Sequence, residues 1–350
     1  METESSNCPT PLFADNAATF LLRLTEAHPD FFLLCDTNTR RHCLPFFEQH
    51  VRKVPEGHLL CIQSGERHKN MNNTIRLWQR LQQAGARRDS LLLNLGGGVI
   101  CDMGGFVAGT WKRGMPFVHI PTSLMAQADA AIGGKCALDF GGVKNQIGLF
   151  RQPEALCIFP ELLETLPERE LRSGFAEMLK HGIIADAAYF NRLKRLRQWS
   201  ELLLHPEWVR QSIEIKSETV RRDFTDTSER KALNFGHSIG HVLEAIANGR
   251  LSHGEAVAHG MRAEALIAQR MRLLPAGDFT SIENCLRQFY GPFPSSGCSM
   301  EQVETLLNAD KKNDGRSLNF SLPVAIGMVR TDCPVTMEQV WDALMAFYIG

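Results

Sequence analysis

The sequence contains no CxxC pair. Its ten cysteines, Cys8, Cys35, Cys43, Cys61, Cys101 and onward, are scattered, which predicts reduced core or incidental thiols in a chain of this length. Long apolar runs are missing too. Apolar runs such as Phe31–Cys35 are far too short to span a bilayer, so no membrane partner is expected. Neither charge dominates: 38 Lys plus Arg stand against 39 Asp plus Glu, for a net charge of −1. That balance disfavours a nonspecific polyanion binder and predicts no nucleic-acid partner, yet it leaves room for one local basic pocket. The opening METESSNCPT has neither a positive stretch nor an apolar core, so no secretory signal is expected and a cytoplasmic location is. No internal repeat or low-complexity segment stands out. What is there is ordinary globular material: 350 residues, 44% hydrophobic and 22% charged, enough to bury large cores in two domains. An enzyme is the expected class.

The first half alternates short apolar runs with helical stretches. The runs Phe31–Asn38, His58–Gly65, Ser90–Gly98, Phe117–Ser123 and Glu154–Pro160 all end in turn residues. Between the second and third, Asn72–Ala86 carries Ile75, Leu77, Trp78 and Leu81 at helical spacing. Strand, helix, strand with short connections predicts a Rossmann-like parallel α/β sheet. Ligands bind such sheets at the carboxyl ends of the strands, so the tails DTN, SGERHK, GGGVICD and PTS should share one edge. Beyond about Pro167 long helical patterns take over, at Ser173–Leu193, Pro206–Arg222, Ala232–Asn248, Gly254–Leu273 and Met300–Ala309. Two short strands are expected at Leu318–Leu322 and Ala325–Val329. The expected domains are an α/β domain over 1–167 and a mostly α-helical domain over 168–350.

Five segments carry candidate chemistry. GGGVICD, Gly96–Asp102, follows an apolar strand and opens a helix, so its amides can approach a phosphate, although it is not a strict GxGxxG. Asp129–Gly148 reads as a glycine-rich loop with Lys135 and Lys144, compact cations suited to carboxylate or phosphate, beside Asn145. AEMLKHG places Glu177, Lys180 and His181 on one helical face, NFGHSIGH places His237 and His241 at i, i+4, and HGE adds His253 and Glu255. A carboxylate and several imidazoles suit a three-ligand catalytic metal site with an open position. Spacing alone nominates the His237–His241 pair and no particular trio.

Read in order, GGGVICDMGGFVAGTWKRG, HIPTSLMAQADAAIGGK, GGVKNQIG, LETLP, SGFAEMLKHG, LNFGHSIGH and HGEAV resemble the 3-dehydroquinate synthases, members of the sugar phosphate cyclase superfamily. The match runs from Asp36 to about Lys312, nearly the whole chain. The resemblance implies an N-terminal NAD domain, a helical metal domain, a homodimer, and conversion of 3-deoxy-D-arabino-heptulosonate 7-phosphate (DAHP) into 3-dehydroquinate and phosphate. It implies a divalent metal, zinc or cobalt, on Glu177, His237 and His253, with His241 on the substrate side and not a ligand. NAD contacts would fall on Asp36, Asn38, Glu66, Lys69, Gly97, Gly98, Val99, Asp102, Thr122, Ser123, Thr165 and Leu166. Substrate would be held by Arg113, Asp129, Lys135, Lys144, Asn145, Lys180, Lys216, Arg230, Asn234 and one of Lys311 and Lys312. Of these, Lys135, Asn145 and Lys180, together with Arg113, Asp129 and His241, are the candidates for the catalytic steps. Four departures from the family pattern, Cys101, Ser123, Cys136 and Val143, remove no charged catalytic group. The competing expectations are another cyclase acting on a heptulose or hexose phosphate, and a metal-dependent alcohol dehydrogenase on the same two-domain plan.

Overall fold

A computed structural model of the protein describes residues 8–292, 299–309 and 318–348. The chain forms two compact units. The first runs up to Leu171 and takes in Leu202–Thr225 as well; the second comprises Arg172–Glu201 and the chain from Asp226 on. The sequence pattern predicts a single boundary. The chain instead returns once to the first unit, where the helix Pro206–Arg222 buries Val209, Ile213, Lys216 and Val220.

The first unit is built on a six-stranded sheet of β1 (Leu12–Phe13), β2 (Phe32–Asp36), β3 (Leu59–Ile62), β4 (Leu92–Gly96), β5 (Phe117–Pro121) and β8 (Ala155–Ile158). Their order is β1-β8-β5-β4-β2-β3, and every pairing is parallel. All five apolar runs of the sequence analysis are strands of this sheet. They read as continuous apolar runs because both faces are covered. Leu33, Cys35, Leu93, Leu95, Val118 and Ile120 pack into one core, while their alternating neighbours Phe32, Leu34, Leu92 and Phe117 pack into another. Parallel pairing brings the carboxyl ends to one edge, and the Thr122 amide extends the ladder there by donating to the Gly96 carbonyl at 3.0 Å.

The glycine-rich Asp129–Gly148 segment is not a loop. After a π-helical turn at Ala126–Ala130, β6 (Lys135–Phe140) and β7 (Val143–Phe150) pair as an antiparallel hairpin. The inner strand buries Cys136 and Leu138 in the second core, which supplies a tertiary partner that no local pattern reveals.

In the second unit the expected long helices are present but punctuated. The Ser173–Leu193 pattern is two helices, Glu168–Ala185 and Ala187–Leu193, because the Asp186 carboxylate caps the second by accepting the Tyr189 amide at 2.9 Å. The Ala232–Asn248 pattern is a 3-10 turn, Glu229–Asn234, then a helix, His237–Ala247, separated by Gly236 at φ +81°. His253–Arg270 follows, opened by a capping box in which Ser252 and Glu255 satisfy one another's amides. Helices Ala276–Tyr290 and Met300–Ala309 precede an antiparallel hairpin, β9 (Leu318–Ala325) and β10 (Met328–Val335), and helix Met337–Tyr348 follows it. No helix of the described residues is long and apolar enough to cross a membrane.

Candidate active site

At the carboxyl edge of the first unit's sheet, Gly97 caps the helix Gly98–Thr110. The amides of Gly98 and Val99 lie in its first turn, where a helix offers no internal acceptor, and the helix dipole adds partial positive charge. A Cβ on Gly98 would meet the Ala130 Cβ at 3.5 Å, an ordinary contact, so the fold itself does not demand glycine there. First-turn amides with no internal acceptor suit a phosphate group. Asp36 ends β2 and accepts the amides of Asn38 (2.8 Å) and Thr39 (2.9 Å) through Oδ1, capping the short helix Thr37–His42. Thr122 is buried and Ser123 half-buried after β5. Thr165 is exposed and Leu166 half-buried after the turn Pro160–Leu163.

Lys69 is the hub of this unit. Its Nζ donates to Asp102 Oδ2 at 2.5 Å and to Asn145 Oδ1 at 2.5 Å, with Glu66 at 4.0 Å. The Asp139 carboxylate accepts the Asn145 amide at 2.9 Å, holding that residue at φ +53° in the hairpin. Burial disfavours the Lys69 charge, but Asp102 and Glu66 outweigh it and raise its pKa, so the side chain stays an ammonium. A second pair joins Lys216 Nζ to Asp129 Oδ1 at 2.7 Å. Thus residues far apart in sequence, Glu66, Lys69, Asp102 and Asn145, meet in one cluster, and Asp129 and Lys216 in another. Arg113, Lys135 and Lys144 are exposed on separate segments, Arg113 at φ +67°.

The second unit assembles the imidazoles. Glu177 is fully buried on the helix Glu168–Ala185, and Lys180, one turn on, is in ion-pair contact with its Oε2. Glu177 Oε1 lies 3.7 Å from His237 Nε2 and 3.9 Å from His253 Nε2. Ligand atoms of these three residues all fall within 4.8 Å of one another. Neither Glu177 oxygen accepts a hydrogen bond of normal geometry. Lys180 balances the charge at Oε2, and with Oε1 facing two imidazole nitrogens the three side chains are a donor set for a divalent cation such as zinc. His241 is exposed one turn beyond His237, its ring 5.4 Å from that of His237 and 5.9 Å from that of His253. Arg230 is buried and Asn234 half-buried on the 3-10 turn that precedes the His237 helix. Lys311 and Lys312 lie outside the described residues.

Two carboxylates escaped the sequence reading. Glu264, fully buried on His253–Arg270, accepts the amides of Gly236 at 2.6 Å and Ile239 at 3.0 Å. It therefore caps the His237 helix from a neighbouring element, where the glycine N-cap has no side chain to do so. Nothing local marks that role. Glu244 Oε2 lies 3.1 Å from His253 Nδ1. Its spacing from His237 and His241, i+7 and i+3, was a readable signal of a shared helix face.

The departures at Cys101 and Cys136 are buried thiols. Burial pushes Cys101 well up and Cys136 up to about 12, so both stay protonated and inert. Among the described residues every cysteine is a free thiol.

The family models for the 3-dehydroquinate synthase N-terminal and C-terminal regions match residues 59–173 and 174–313 respectively. A 3-dehydroquinate synthase of Parabacteroides distasonis is 35% identical over 320 residues, 89% of this chain and 90% of the relative. Among solved structures, 2-epi-5-epi-valiolone synthase from Streptomyces hygroscopicus subsp. jinggangensis, with NAD+ and Zn2+ bound, superposes with a TM-score of 0.85 at 24% identity, covering 97% of this chain and 96% of that one. A 2-deoxy-scyllo-inosose synthase complexed with carbaglucose-6-phosphate, NAD+ and Co2+ gives 0.82 at 22% identity, covering 98% of each. These two likenesses speak to the fold, whereas sequence identity sustained across both halves speaks to descent: the chain belongs to the 3-dehydroquinate synthase family.

Proposed function

We propose that this enzyme converts DAHP to 3-dehydroquinate and phosphate, a phosphate-eliminating lyase reaction, using NAD and one divalent metal, zinc or cobalt. The observation that carries the reading is the buried Glu177 carboxylate facing His237 and His253 in a chain of this family. When bound, the metal polarises a substrate hydroxyl and NAD supplies reversible hydride chemistry.

Glu177, His237 and His253 hold the metal in this reading. NAD lies along the sheet edge, its pyrophosphate over Gly97, Gly98 and Val99. Asp36, Asn38, Glu66, Lys69, Asp102, Thr122, Ser123, Thr165 and Leu166 complete its contacts. Lys135, Asn145 and Lys180 steady developing oxyanions through preorganised donors. Arg113, Lys144, Lys216, Arg230 and Asn234 meet the substrate's carboxylate, hydroxyls and phosphate with charge-assisted bonds. Asp129 fixes the Lys216 ammonium at 2.7 Å, and His241 orients the departing phosphate. The division into an NAD-binding part over 1–167 and a metal- and substrate-binding part over 168–350, a cytoplasmic location and a homodimer belong to the same reading. Free thiols throughout the described residues support the reducing compartment.

Transient use of NAD distinguishes this reaction from a dehydrogenase. With catalytic NAD and excess DAHP, many equivalents of phosphate should be released per cofactor, without steady accumulation of NADH. One NADH in solution for each substrate turned over would overturn the reading. Turnover of a heptulose phosphate lacking the carboxylate, with DAHP inert, would instead favour another cyclase.

A further inference from the structure

The two histidines that face Glu177 are held from behind by different acceptors. His237 Nδ1 lies 3.3 Å from the Phe235 carbonyl, and His253 Nδ1 lies 3.1 Å from Glu244 Oε2. An acceptor at Nδ1 keeps the proton on that nitrogen and leaves the Nε2 lone pair to face Glu177. For His237 the acceptor is backbone, already fixed by the turn. For His253 it is the side chain of Glu244, a contact that a single substitution can remove. His253 is the first residue of its helix and its side chain is about one-third exposed. Glu244 is mostly buried, at 15% side-chain exposure, and sits two turns along the same helix face as His237. One rigid helix therefore carries both a metal-facing imidazole and the carboxylate that orients the other. A charged acceptor also makes Nε2 a stronger electron donor than a carbonyl would.

We propose that Glu244 is a positioning residue of the metal centre, holding His253 in the tautomer and ring orientation that present Nε2 toward Glu177. This rests on the metal assignment made above and deepens it.

The test compares zinc affinity, by competition with a chromophoric chelator, in the parent enzyme and in Glu244→Gln, Glu244→Ala and His253→Ala. Thermal unfolding of each metal-free form is measured alongside. Glu244→Gln, nearly isosteric, should weaken zinc binding about 10- to 100-fold while the metal-free form melts as the parent does. In long-range 15N–1H spectra of the metal-free protein, His253 should pass from a single Nδ1–H tautomer to a mixture. Zinc affinity unchanged in both Glu244 variants, with zinc lost in His253→Ala, would overturn the positioning role and leave the metal assignment intact. Equal melting losses in the metal-free Glu244→Gln form would also overturn it, by making the residue merely structural. Zinc retained in His253→Ala would remove the metal assignment and this inference together.

Discussion

Glycine has opposite meanings at neighbouring positions of the GGGVICD turn. A Cβ on Gly96 would come within 2.5 Å of the Ile100 Cβ, so the strand-to-helix turn itself requires the small residue. Gly98 carries no such demand, since a Cβ there reaches ordinary contact distance only. Gly98→Ala should thus leave the unfolding midpoint unchanged or slightly raised, alanine being the better helix former by up to about 1 kcal/mol. NAD affinity, read by isothermal titration, should fall tenfold or more, roughly 1.4 kcal/mol, because the methyl stands between amides and phosphate oxygens. A variant that binds NAD undiminished would displace the pyrophosphate from this turn. The glycines were visible in the sequence; which of them serves the fold and which is free to serve a ligand was not, because that depends on Ile100 and Ala130 coming near.

Helix crossing is the element-scale event that brings the imidazoles together. His237–Ala247 and His253–Arg270 pack so closely that a Cβ on Gly260 would lie 2.0 Å from the Gly236 carbonyl oxygen. With no side chain at the crossing, the backbones approach and the helix starts carrying His237 and His253 converge on Glu177. Gly260→Ala should push them apart, costing about 1–3 kcal/mol of stability or more, since one contact partner is backbone and cannot rotate away. Zinc content should fall with it. Unchanged melting and full metal occupancy would show that the crossing relaxes. At this scale the periodicity of both helices was legible, as was the i, i+4 histidine pair. The crossing was not, and so spacing favoured His237 with His241, whereas the tertiary structure brings His237 and His253 to Glu177.

Across the whole molecule, acid should act on both compact units through one buried histidine in each. His119, paired with Asn94 in the sheet, and His259, beside Arg262, are each lowered from 6.5 to about 3, in both cases chiefly by burial. The native forms stay neutral where the unfolded chain takes up protons. The stability they contribute is therefore complete above about pH 6.5 and is lost progressively as the pH falls toward 3. Each group adds a slope of about 1.4 kcal/mol per pH unit inside that window. Urea midpoints taken between pH 6.5 and 4.5 should fall steadily, and His119→Gln should make the decline shallower. An unaltered acid limb in that variant would mean that His119 is protonated in the folded protein.

Sequence alone determined the elements whose signal is local. Five apolar runs became parallel strands, the Pro206–Arg222 pattern became a helix with those bounds, and the motif order carried the family. Such signals survive because period, turn chemistry and short motifs are written within a few residues of one another. Everything that required distant residues to meet was decided by the tertiary structure. Lys69 found Asp102 and Asn145, Glu264 capped a helix it does not belong to, and the glycine-rich segment became a hairpin because Cys136 and Leu138 had a core to enter. Burial is the physical reason. It removes water as the alternative partner, so a charge or an amide must be matched by whichever group the fold brings within reach, and the sequence does not record that distance.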